Sequence, residues 1–532
     1  MMRTFCWKKL LLPTLLLCGG AGAWAVNILT EGVDIGRTGW VQGDKSFTVQ
    51  NVKGMKLLWK VQLDSKPREM HNLFPPLLVE NVDTAAGKRD VAVVAGVLDE
   101  LYGLDAKTGK EIWHVTYKTD FPKPAVAGTL CPGGQTAVPV IVPGEKAGEW
   151  VVWAVGWDGY LRKMNVADGK DLQAPAKFLP GNGKPYALNY RNGVIYTSTA
   201  QGCGGLTNST YAYDTKTRIA TAFIPSGGGL WGRRGVGLSP EGESYMGTGD
   251  GLWDVENGHL GNGIIGVKLD KSGELQLEDF FAPRNAEYMF KRDLDVNVTP
   301  VAVDWKGHKL LIGTSKECRI WMLDRDNFGG DDHRTPLAQT PLLCNVNANF
   351  AEEGVWGAIS SYVDAKGDLY VVVPFFGPAN PKYIGATHYA PAPKMGGGGV
   401  TTLKVTETNG KLGFTPVWTS ADIDHPDEAV IANGVIFING AGEDARQQWD
   451  DNYWDKTPEK LPSGPWSQQS NTRIAYSRHA VLVALDAATG KTLWESGNQI
   501  KSWNHFSGIT AANGRVYLPT YDGMLYCFGV AK

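Results

Sequence analysis

Short runs of alternating apolar and polar residues, each joined to the next by a tight-turn sequence, recur along the whole chain. Residues 101–113 read Leu-Tyr-Gly-Leu-Asp-Ala-Lys-Thr-Gly-Lys-Glu-Ile-Trp, and residues 483–494 read Val-Ala-Leu-Asp-Ala-Ala-Thr-Gly-Lys-Thr-Leu-Trp. The glycine can adopt the positive φ that the turn requires, and the aspartate can accept its backbone N–H groups. The pattern predicts the same β-hairpin, ending in tryptophan, near both ends of the chain.

A second unit, a strand, an Asn-Gly turn and another strand, accompanies these hairpins. It occurs at 191–196, 432–437 and 509–518. Asn-Gly between apolar runs is a strong hairpin signal, so each repeat is predicted to be a four-stranded antiparallel meander. Weaker copies of the Asp-turn hairpin lie at 165–170, 213–217, 269–273, 323–326 and 405–411.

The repeat spacing gives about eight units. We therefore predict an all-β fold, an eight-bladed β-propeller of four-stranded antiparallel blades with tryptophan-docking motifs, in which the end of the chain completes the blade begun near 57–61. A seven-bladed ring and a linear β-sandwich array are the alternatives. Residues 26–532 form one domain in this prediction, with loop insertions near 375–398 and 445–470, the second of which is a candidate cap over one face.

The first residues have the layout of a secretory signal. A basic stretch ends at Lys9, an apolar run extends from Leu10 to Cys18, and Ala23-Trp24-Ala25 suits a cleavage site, so residues 1–25 are predicted to be a signal peptide. The mature protein is then expected in the periplasm or secreted, without a transmembrane segment. Lipid attachment at Cys18 is disfavoured, because a leucine precedes this cysteine.

Net charge and cysteine spacing exclude some kinds of partner and cofactor. Lys+Arg 52 and Asp+Glu 55 give a net charge of −3, so nucleic acid is not an expected partner. The sequence contains neither C-x-x-C nor C-x-x-C-H, which argues against a covalent c-type haem and places any electron acceptor on another molecule. One or two disulfides are compatible with the five cysteines that follow the signal: Cys131, Cys203, Cys318, Cys344 and Cys527.

The segments 104–113 and 484–494 resemble the A-x-D-x-x-T-G-x-x-x-W docking motif of the pyrroloquinoline quinone (PQQ)-dependent dehydrogenases and PQQ-binding-like propellers. The resemblance implies this fold for essentially the whole mature chain. For the enzymatic members it also implies oxidation of an alcohol or sugar with PQQ and calcium, and electron transfer to an acceptor such as a cytochrome c. Non-enzymatic members, including outer-membrane assembly lipoproteins, share the motif, so fold does not settle function.

Cofactor-binding residues follow from the same resemblance. The glycine-rich segment 226–235 is similar to the one that presents a tryptophan as the floor beneath the quinone, which selects Trp231, with Gly229 and Cys203 as further cofactor-binding candidates. Lys316, within 313–325, matches the residue that hydrogen-bonds the quinone oxygens. The alternative for Trp231 is one more docking tryptophan between blades, and the alternative for Lys316 is an exposed lysine in a turn.

A metal site and a catalytic carboxylate are implied as well. Asp250 stands where the family usually has a calcium-binding asparagine, and Asp293 and Asp295 lie where it carries its catalytic aspartate, in the D-x-D form of the lanthanide variant. Asp293 is also a candidate metal ligand. Such aspartates can instead cap a strand, here before Pro300.

Two departures from the family put catalysis in doubt. The chain has no adjacent cysteine pair, and 201–205 has no carboxylate where the family supplies a glutamate ligand. A non-catalytic envelope scaffold is therefore the main alternative to a dehydrogenase, and a polysaccharide hydrolase or lyase ranks last. His505 is interpreted as a hydrogen-bonded core histidine facing the central channel.

Overall fold

The computed structural model describes residues 25–128, 130–225, 228–232, 234–383, 385–387, 397–445 and 473–530. The predicted signal peptide before Ala25 lies outside the described residues, as do most of the insertion predicted at 445–470 and the stretch 388–396 of the other one. Within the described residues, no helix is both long and apolar enough to cross a membrane.

Eight four-stranded antiparallel sheets, blades 1 to 8, confirm the predicted fold. The apolar face of each meander is covered by the next blade, and seven buried hydrophobic clusters fill the described interfaces between blades. The strands of blades 2 to 5 are Leu77–Thr84, Gly87–Gly96, Glu100–Asp105 and Glu111–Thr116; Val140–Pro143, Trp150–Val155, Tyr160–Asn165 and Ala176–Lys177; Asn189–Arg191, Val194–Ser198, Thr210–Asp214 and Ala220–Phe223; and Gly237–Leu238, Ser244–Thr248, Gly263–Leu269 and Leu275–Phe281.

Blades 6 to 8 follow the same order, and short accessory elements decorate the ring. The strands of blades 6 to 8 are Val301–Trp305, His308–Gly313, Trp321–Asp324 and Ala338–Gln339; Ser360–Val363, Leu369–Phe376, Gly398–Thr408 and Lys411–Thr419; and Pro426–Ala432, Val435–Gly440, Val481–Asp486 and Thr492–Glu495. The accessory elements are a hairpin of Trp253–Asp254 and His259–Leu260, edge strands Trp40–Val41 and Ala386–Thr387, helix α1 (Ala286–Lys291) and single 3₁₀ turns at Asn51–Gly54, Cys203–Gly205, Val255–Asn257, Gly330–Asp332 and Gly497–Gln499.

Blade 1 closes the ring by joining the two ends of the chain. Its three inner strands are Thr510–Ala512, Arg515–Pro519 and Met524–Gly529, and its outermost strand is Lys56–Gln62, paired antiparallel with Met524–Gly529. This arrangement confirms the prediction that the end of the chain completes the blade begun near residues 57–61. The ring therefore cannot close until both ends of the domain are in place.

The docking tryptophans pack on the turn glycine of the following blade. The indole of Trp418 (blade 7) lies on Gly490 (blade 8) and donates from Nε1 to the Ala487 carbonyl at 3.0 Å. The indole of Trp113 (blade 2) lies on Gly169 (blade 3) in the same way. Gly490 has a φ of +72° and a Cβ there would come within 2.3 Å of the Trp418 ring, so both the turn and the packing require glycine.

Residues 26–41, the inner segment, run around the inside of the ring. Its backbone hydrogen-bonds to the innermost strands of blades 2, 3, 5, 6, 7 and 8, and side-chain hydrogen bonds join it to blades 1 and 4. Arg37 within this segment is fully buried. Because the contacted positions lie at or inside the innermost strands, the inner segment fills the channel at the level of those strands.

Candidate active site

The connectivity of a blade determines which residues can meet at one face of the ring. The chain enters each innermost strand at one face, and the second strand returns to that face before the loop to the third strand. Trp231, Asp293 and Asp295 precede innermost strands, whereas Asp250 and Lys316 begin loops that follow second strands. All five predicted residues consequently lie at the same face, although they come from blades 5 and 6 and the segments before them.

These five side chains line one cavity. It contains about 680 Å³ of atom-free space, a volume that includes the solvent at its open side. The cavity is lined by Leu130, Lys184, Tyr186, Gln201, Trp231, Asp250, Asp293, Asp295, Lys316, Phe350, Trp356, Arg473 and His505.

Three carboxylates form a tight cluster in this cavity. One carboxylate oxygen from each of Asp250, Asp293 and Asp295 lies within 4.8 Å of the other two. Asp295 is 1% exposed and accepts a hydrogen bond from the Asp250 backbone N–H at 2.9 Å, so the two loops are fixed relative to one another. The arrangement brings together the oxygen ligands that a hard cation prefers.

Lys316 is part of the same cluster. Its Nζ lies 2.8 Å from Asp295 Oδ2 and 3.0 Å from Asp293 Oδ1, and it also sits 4.6 Å from the ring centre of Trp356. With three ionised carboxylates and one ammonium, the cluster carries a net charge of −2. The alternative interpretation of Lys316 as an exposed turn residue is wrong, since it is 5% exposed.

The cluster shifts the protonation equilibria of its members apart. Burial in protein and the Asp295 charge raise the pKa of Asp250 to about 7, although solvent reaches its side chain from the cavity. Burial also raises the pKa of Asp293 well above its usual range, despite the opposing charge of Lys316. Burial has the same tendency at Asp295, but the Lys316 charge and hydrogen bonds outweigh it and lower the Asp295 pKa. Repulsion between carboxylates is thus only partly relieved by Lys316.

The indole of Trp231 packs against two glycines. Gly229 and Gly249 form an isolated antiparallel bridge with two 2.8 Å backbone hydrogen bonds. A Cβ would come within 2.4 Å of the Trp231 ring at Gly229 and within 2.7 Å at Gly249. Gly229 was predicted to bind the cofactor; in the structure it supports the indole and is not among the described residues that line the cavity.

Gln201 supplies an oxygen that the sequence reasoning overlooked. It stands where the sequence resemblance implies a glutamate ligand, lines the cavity, and has a buried Oε1 atom without a hydrogen-bond partner in the described structure. An amide oxygen is a ligand for hard cations. Gln201, Asp250, Asp293 and Asp295 therefore fit a calcium or lanthanide ion, whose positive charge would offset that of the carboxylates.

Two disulfides hold segments that reach the cavity. Cys131–Cys203 joins the loop that carries Leu130 to the loop that carries Gln201, and Cys318–Cys344 begins two residues after Lys316. The expectation of one or two bridges is confirmed. Cys203, predicted to bind the cofactor, is thus half of a disulfide and is not among the described residues lining the cavity.

Further cavity residues could not be deduced from local motifs. His505 is 4% exposed, as expected of a core histidine, yet it also lines the cavity, with Nδ1 2.8 Å from Glu443 Oε1. Glu443 is also paired with Arg473 at 2.5 Å. Trp356 adds a second indole to the lining, and its ring lies nearly parallel to those of Phe376 and Phe506, with centroids 6.3 Å and 6.4 Å away.

Solved structures of other proteins share this β-propeller fold over nearly the whole chain. The quinohemoprotein alcohol dehydrogenase of Comamonas testosteroni has a TM-score of 0.54 at 16% identity, covering 96% of this chain and 81% of that one. The quinohemoprotein alcohol dehydrogenase ADHIIG of Pseudomonas putida HK5 gives 0.57 at 13% identity, with 95% and 81% covered. A europium-containing methanol dehydrogenase gives 0.56 at 14%, with 95% and 98% covered.

The sequence comparisons cover a smaller part of the chain than the structural comparisons do. Residues 432–531 match the PQQ_2 family model, which is described as outer membrane protein assembly factor BamB. No curated protein sequence gave a significant match. The recognition made from the docking motifs is confirmed at the level of the fold: this chain shares the β-propeller fold of these dehydrogenases, and its residues 432–531 match the PQQ_2 repeat model.

Proposed function

We propose that this protein is an exported quinoprotein dehydrogenase that oxidises an alcohol or another hydroxylated substrate with PQQ and a calcium or lanthanide ion, and passes the electrons to a separate acceptor such as a cytochrome c. One observation carries the proposal: an indole, three clustered carboxylates and a buried lysine line the same cavity. The solved structures with this fold include a quinohemoprotein alcohol dehydrogenase and a europium-containing methanol dehydrogenase.

Each residue has a distinct task in this proposal. Trp231 would support the flat cofactor by stacking, because an indole offers the largest aromatic face. Gln201, Asp250 and Asp295 would hold the cation through their oxygens. When bound, the quinone supplies a two-electron acceptor and the cation polarises its carbonyl oxygen.

Asp293 is better suited than Asp295 to accept the substrate hydroxyl proton. The Asp293 side chain is 17% exposed and its pKa is raised by burial, whereas the Asp295 side chain is 1% exposed and its pKa is lowered. A general base works best when its pKa lies near the operating pH. Lys316, held beside both carboxylates, would supply a positive charge to stabilise the negative charge that develops on a bound cofactor.

Export is supported by the signal-like N-terminus and by the two disulfides, which persist in oxidising compartments. A periplasmic or secreted location would also place the protein beside external electron acceptors.

The first test is cofactor binding. Purified protein is titrated with PQQ in the presence of calcium or lanthanum, and quenching of tryptophan fluorescence and reduction of an artificial dye are followed over a panel of alcohols and sugars. Asp295→Asn should abolish cation-dependent activity, whereas Asp270→Asn, a matched change at an exposed turn of blade 5, should not. Absence of PQQ binding at micromolar concentration under both metals would refute the proposal.

One observation favours a second candidate, a non-catalytic envelope scaffold. The family model that matches residues 432–531 is described as an outer-membrane assembly factor, and these residues form blades 8 and 1 rather than the carboxylate cluster. A stable envelope protein partner recovered without bound quinone would support this function over catalysis.

A further inference from the structure

A second cavity lies at the face of the ring opposite the candidate active site. It contains about 670 Å³ of atom-free space, a volume that includes the solvent at its open side. Its walls include Pro240 of blade 5, Asp304 of blade 6 and Val363 of blade 7, which lie at or near the ends of innermost strands, whereas active-site residues such as Trp231 precede those strands. The two cavities have no lining residue in common, so the second one is separate from the candidate active site.

Asp34 of the inner segment brings a carboxylate to the wall of the second cavity. Its oxygens accept hydrogen bonds from the backbone N–H of Thr38, at 3.0 Å, and from the Thr38 hydroxyl. The guanidinium groups whose charges reach Asp34 are engaged elsewhere: Arg37 donates to backbone carbonyls, and Arg234 pairs with Glu428. A carboxylate can accept about four hydrogen bonds, so Asp34 has capacity left for a donor in the cavity.

Ser361 adds a buried hydroxyl to the same cavity. The side chains of Ser360 and Tyr362, its neighbours on the innermost strand of blade 7, hydrogen-bond to carbonyls of blade 8. Because side chains alternate along a strand, the Ser361 side chain points away from blade 8, toward blade 6. Ser361 is 1% exposed, and its Oγ has no hydrogen-bond partner in the described structure. Its backbone N–H donates to the Thr38 carbonyl at 2.8 Å, which places Ser361 beside the segment that carries Asp34.

Arg325 supplies a buried donor. It follows the third strand of blade 6, lines the cavity and is 5% exposed. One terminal nitrogen of its guanidinium pairs with Asp304, whereas Nε has no hydrogen-bond partner within the described part of the chain. A buried donor without an acceptor is unfavourable, so a ligand that accepts a hydrogen bond here would be stabilised.

These three groups require different partners. The Asp34 carboxylate accepts hydrogen bonds, Arg325 Nε donates one, and the Ser361 hydroxyl does both. A ligand hydroxyl also donates and accepts, so a molecule with several hydroxyls can bond to all three, whereas a cation would leave Arg325 Nε without an acceptor. An anion would be repelled by Asp34 and Asp304. The partly exposed Trp40 ring also lines the cavity and offers an apolar face to the C–H groups of such a molecule.

We propose that the second cavity binds a neutral mono- or disaccharide, held by Asp34, Ser361 and Arg325. A few polar groups that converge on a partly apolar cavity are the usual composition of a small-molecule site. The inference goes beyond the proposed dehydrogenase function and does not depend on it, because the two cavities are lined by different residues.

Binding is measured without cofactor or metal. Chelator-treated protein labelled with ¹⁵N-tryptophan is titrated in the millimolar range with glucose, galactose, maltose and trehalose. At least one sugar should shift the indole resonance of Trp40, assigned with Trp40→Phe, and leave that of Trp231 unmoved. A shift of Trp231 alone would place the sugar in the candidate active site and overturn the inference, as would the absence of any shift. Tetramethylammonium and glycine are the charged probes, and a stronger response to either would overturn the assignment to a neutral sugar.

Two variants test the groups that hold the ligand. Ser361→Ala removes an oxygen that has no partner in the described structure, so the thermal midpoint should not fall, yet the sugar should bind about tenfold more weakly. Asp34→Asn should weaken binding to a similar extent, because it removes a charged acceptor. Ser272→Ala, at an exposed turn of blade 5, is the matched control and should leave the affinity unchanged. Wild-type affinity in both Ser361→Ala and Asp34→Asn would overturn the inference.

Discussion

Lys316 Nζ lies 2.8 Å from Asp295 Oδ2 in a setting where both side chains are almost fully buried. This ion pair stands at the centre of the carboxylate cluster rather than at its edge, since the same ammonium also pairs with Asp293. The lysine is therefore a structural counter-ion as well as a candidate electrostatic catalyst, and the two tasks can be separated by mutation.

Lys316→Met should lower the thermal unfolding midpoint of the cation-free protein, because the buried carboxylate of Asp295 loses its counter-charge at a cost of about 3–5 kcal/mol. Calcium or lanthanum should then raise that midpoint by more than in the wild type. Scanning calorimetry with and without the cation measures both effects, and Lys316→Arg, which keeps the charge, is the control. An unchanged midpoint would show that the ion pair does not stabilise the cluster.

Gln201→Glu should strengthen calcium binding by about tenfold, because it adds a charged oxygen ligand to the cavity. Isothermal titration of the protein with calcium gives the affinity directly. Gln276→Glu adds the same charge at an exposed position of blade 5 and should have no effect. Equal affinities for the Gln201→Glu variant and the wild type would exclude Gln201 from the ligand set.

Gly249→Ala should weaken PQQ binding by at least about tenfold, because a methyl group there meets both the Trp231 ring at 2.7 Å and Asp295 Cβ at 2.8 Å. Quenching of tryptophan fluorescence by PQQ measures the affinity. At Gly54 a Cβ would meet nothing within 4 Å, so Gly54→Ala is the matched control. Retention of wild-type affinity by Gly249→Ala would show that the position of the indole is unimportant.

Without a cation, stability should fall as pH rises from about 4 to about 7. Burial and the Asp295 charge raise the pKa of Asp250 from 3.8 to about 7, so in this range the folded protein holds a proton that the unfolded chain has released. The thermal midpoint in chelator should accordingly be lower at pH 7 than at pH 5, and calcium should reduce the difference. Asp250→Asn should reduce it too, and the same slope in that variant would assign the effect to other groups.

Trp418→Ala should destabilise the ring by about 3–5 kcal/mol, since it leaves a cavity between blades 7 and 8 and removes the hydrogen bond to Ala487. The decrease appears as a lower thermal midpoint. Ile219→Ala, at a side chain that is 62% exposed, should change stability by less than about 0.5 kcal/mol. If both variants melt alike, the docking motif does not hold the blades together.

The ring was predicted from its local turn motifs, whereas five of the cavity residues were predicted from the family resemblance. Trp231, Asp250 and Lys316 each lie in a short glycine-rich or turn-like motif at a strand end, and the position of a strand end is visible locally. The docking glycines Gly109 and Gly490 can be predicted from the sequence, because each lies in a turn whose positive φ favours glycine.

The remaining cavity residues depend on contacts that no local pattern specifies. His505 and Glu443 are 62 residues apart and meet only because blades 8 and 1 are neighbours in the closed ring. The partner of Cys203, 72 residues away at Cys131, is fixed by the same three-dimensional proximity. Gln201 was overlooked for a different reason: only a carboxylate was sought at that position, although an amide oxygen can serve the same ion.

The inner segment fills the central channel of the propeller at the level of the innermost strands, so the candidate site opens at one face of the ring. Its backbone reaches the second residue of the innermost strands at Leu238, Ala302 and Ser361, whereas cavity residues precede those strands or follow the second strands at the same face. The described channel is thus filled directly behind the candidate site. Under the proposed function, a substrate would therefore enter and leave by the face on which the cavity opens, and an electron-accepting protein would approach that same face or receive electrons through the blades.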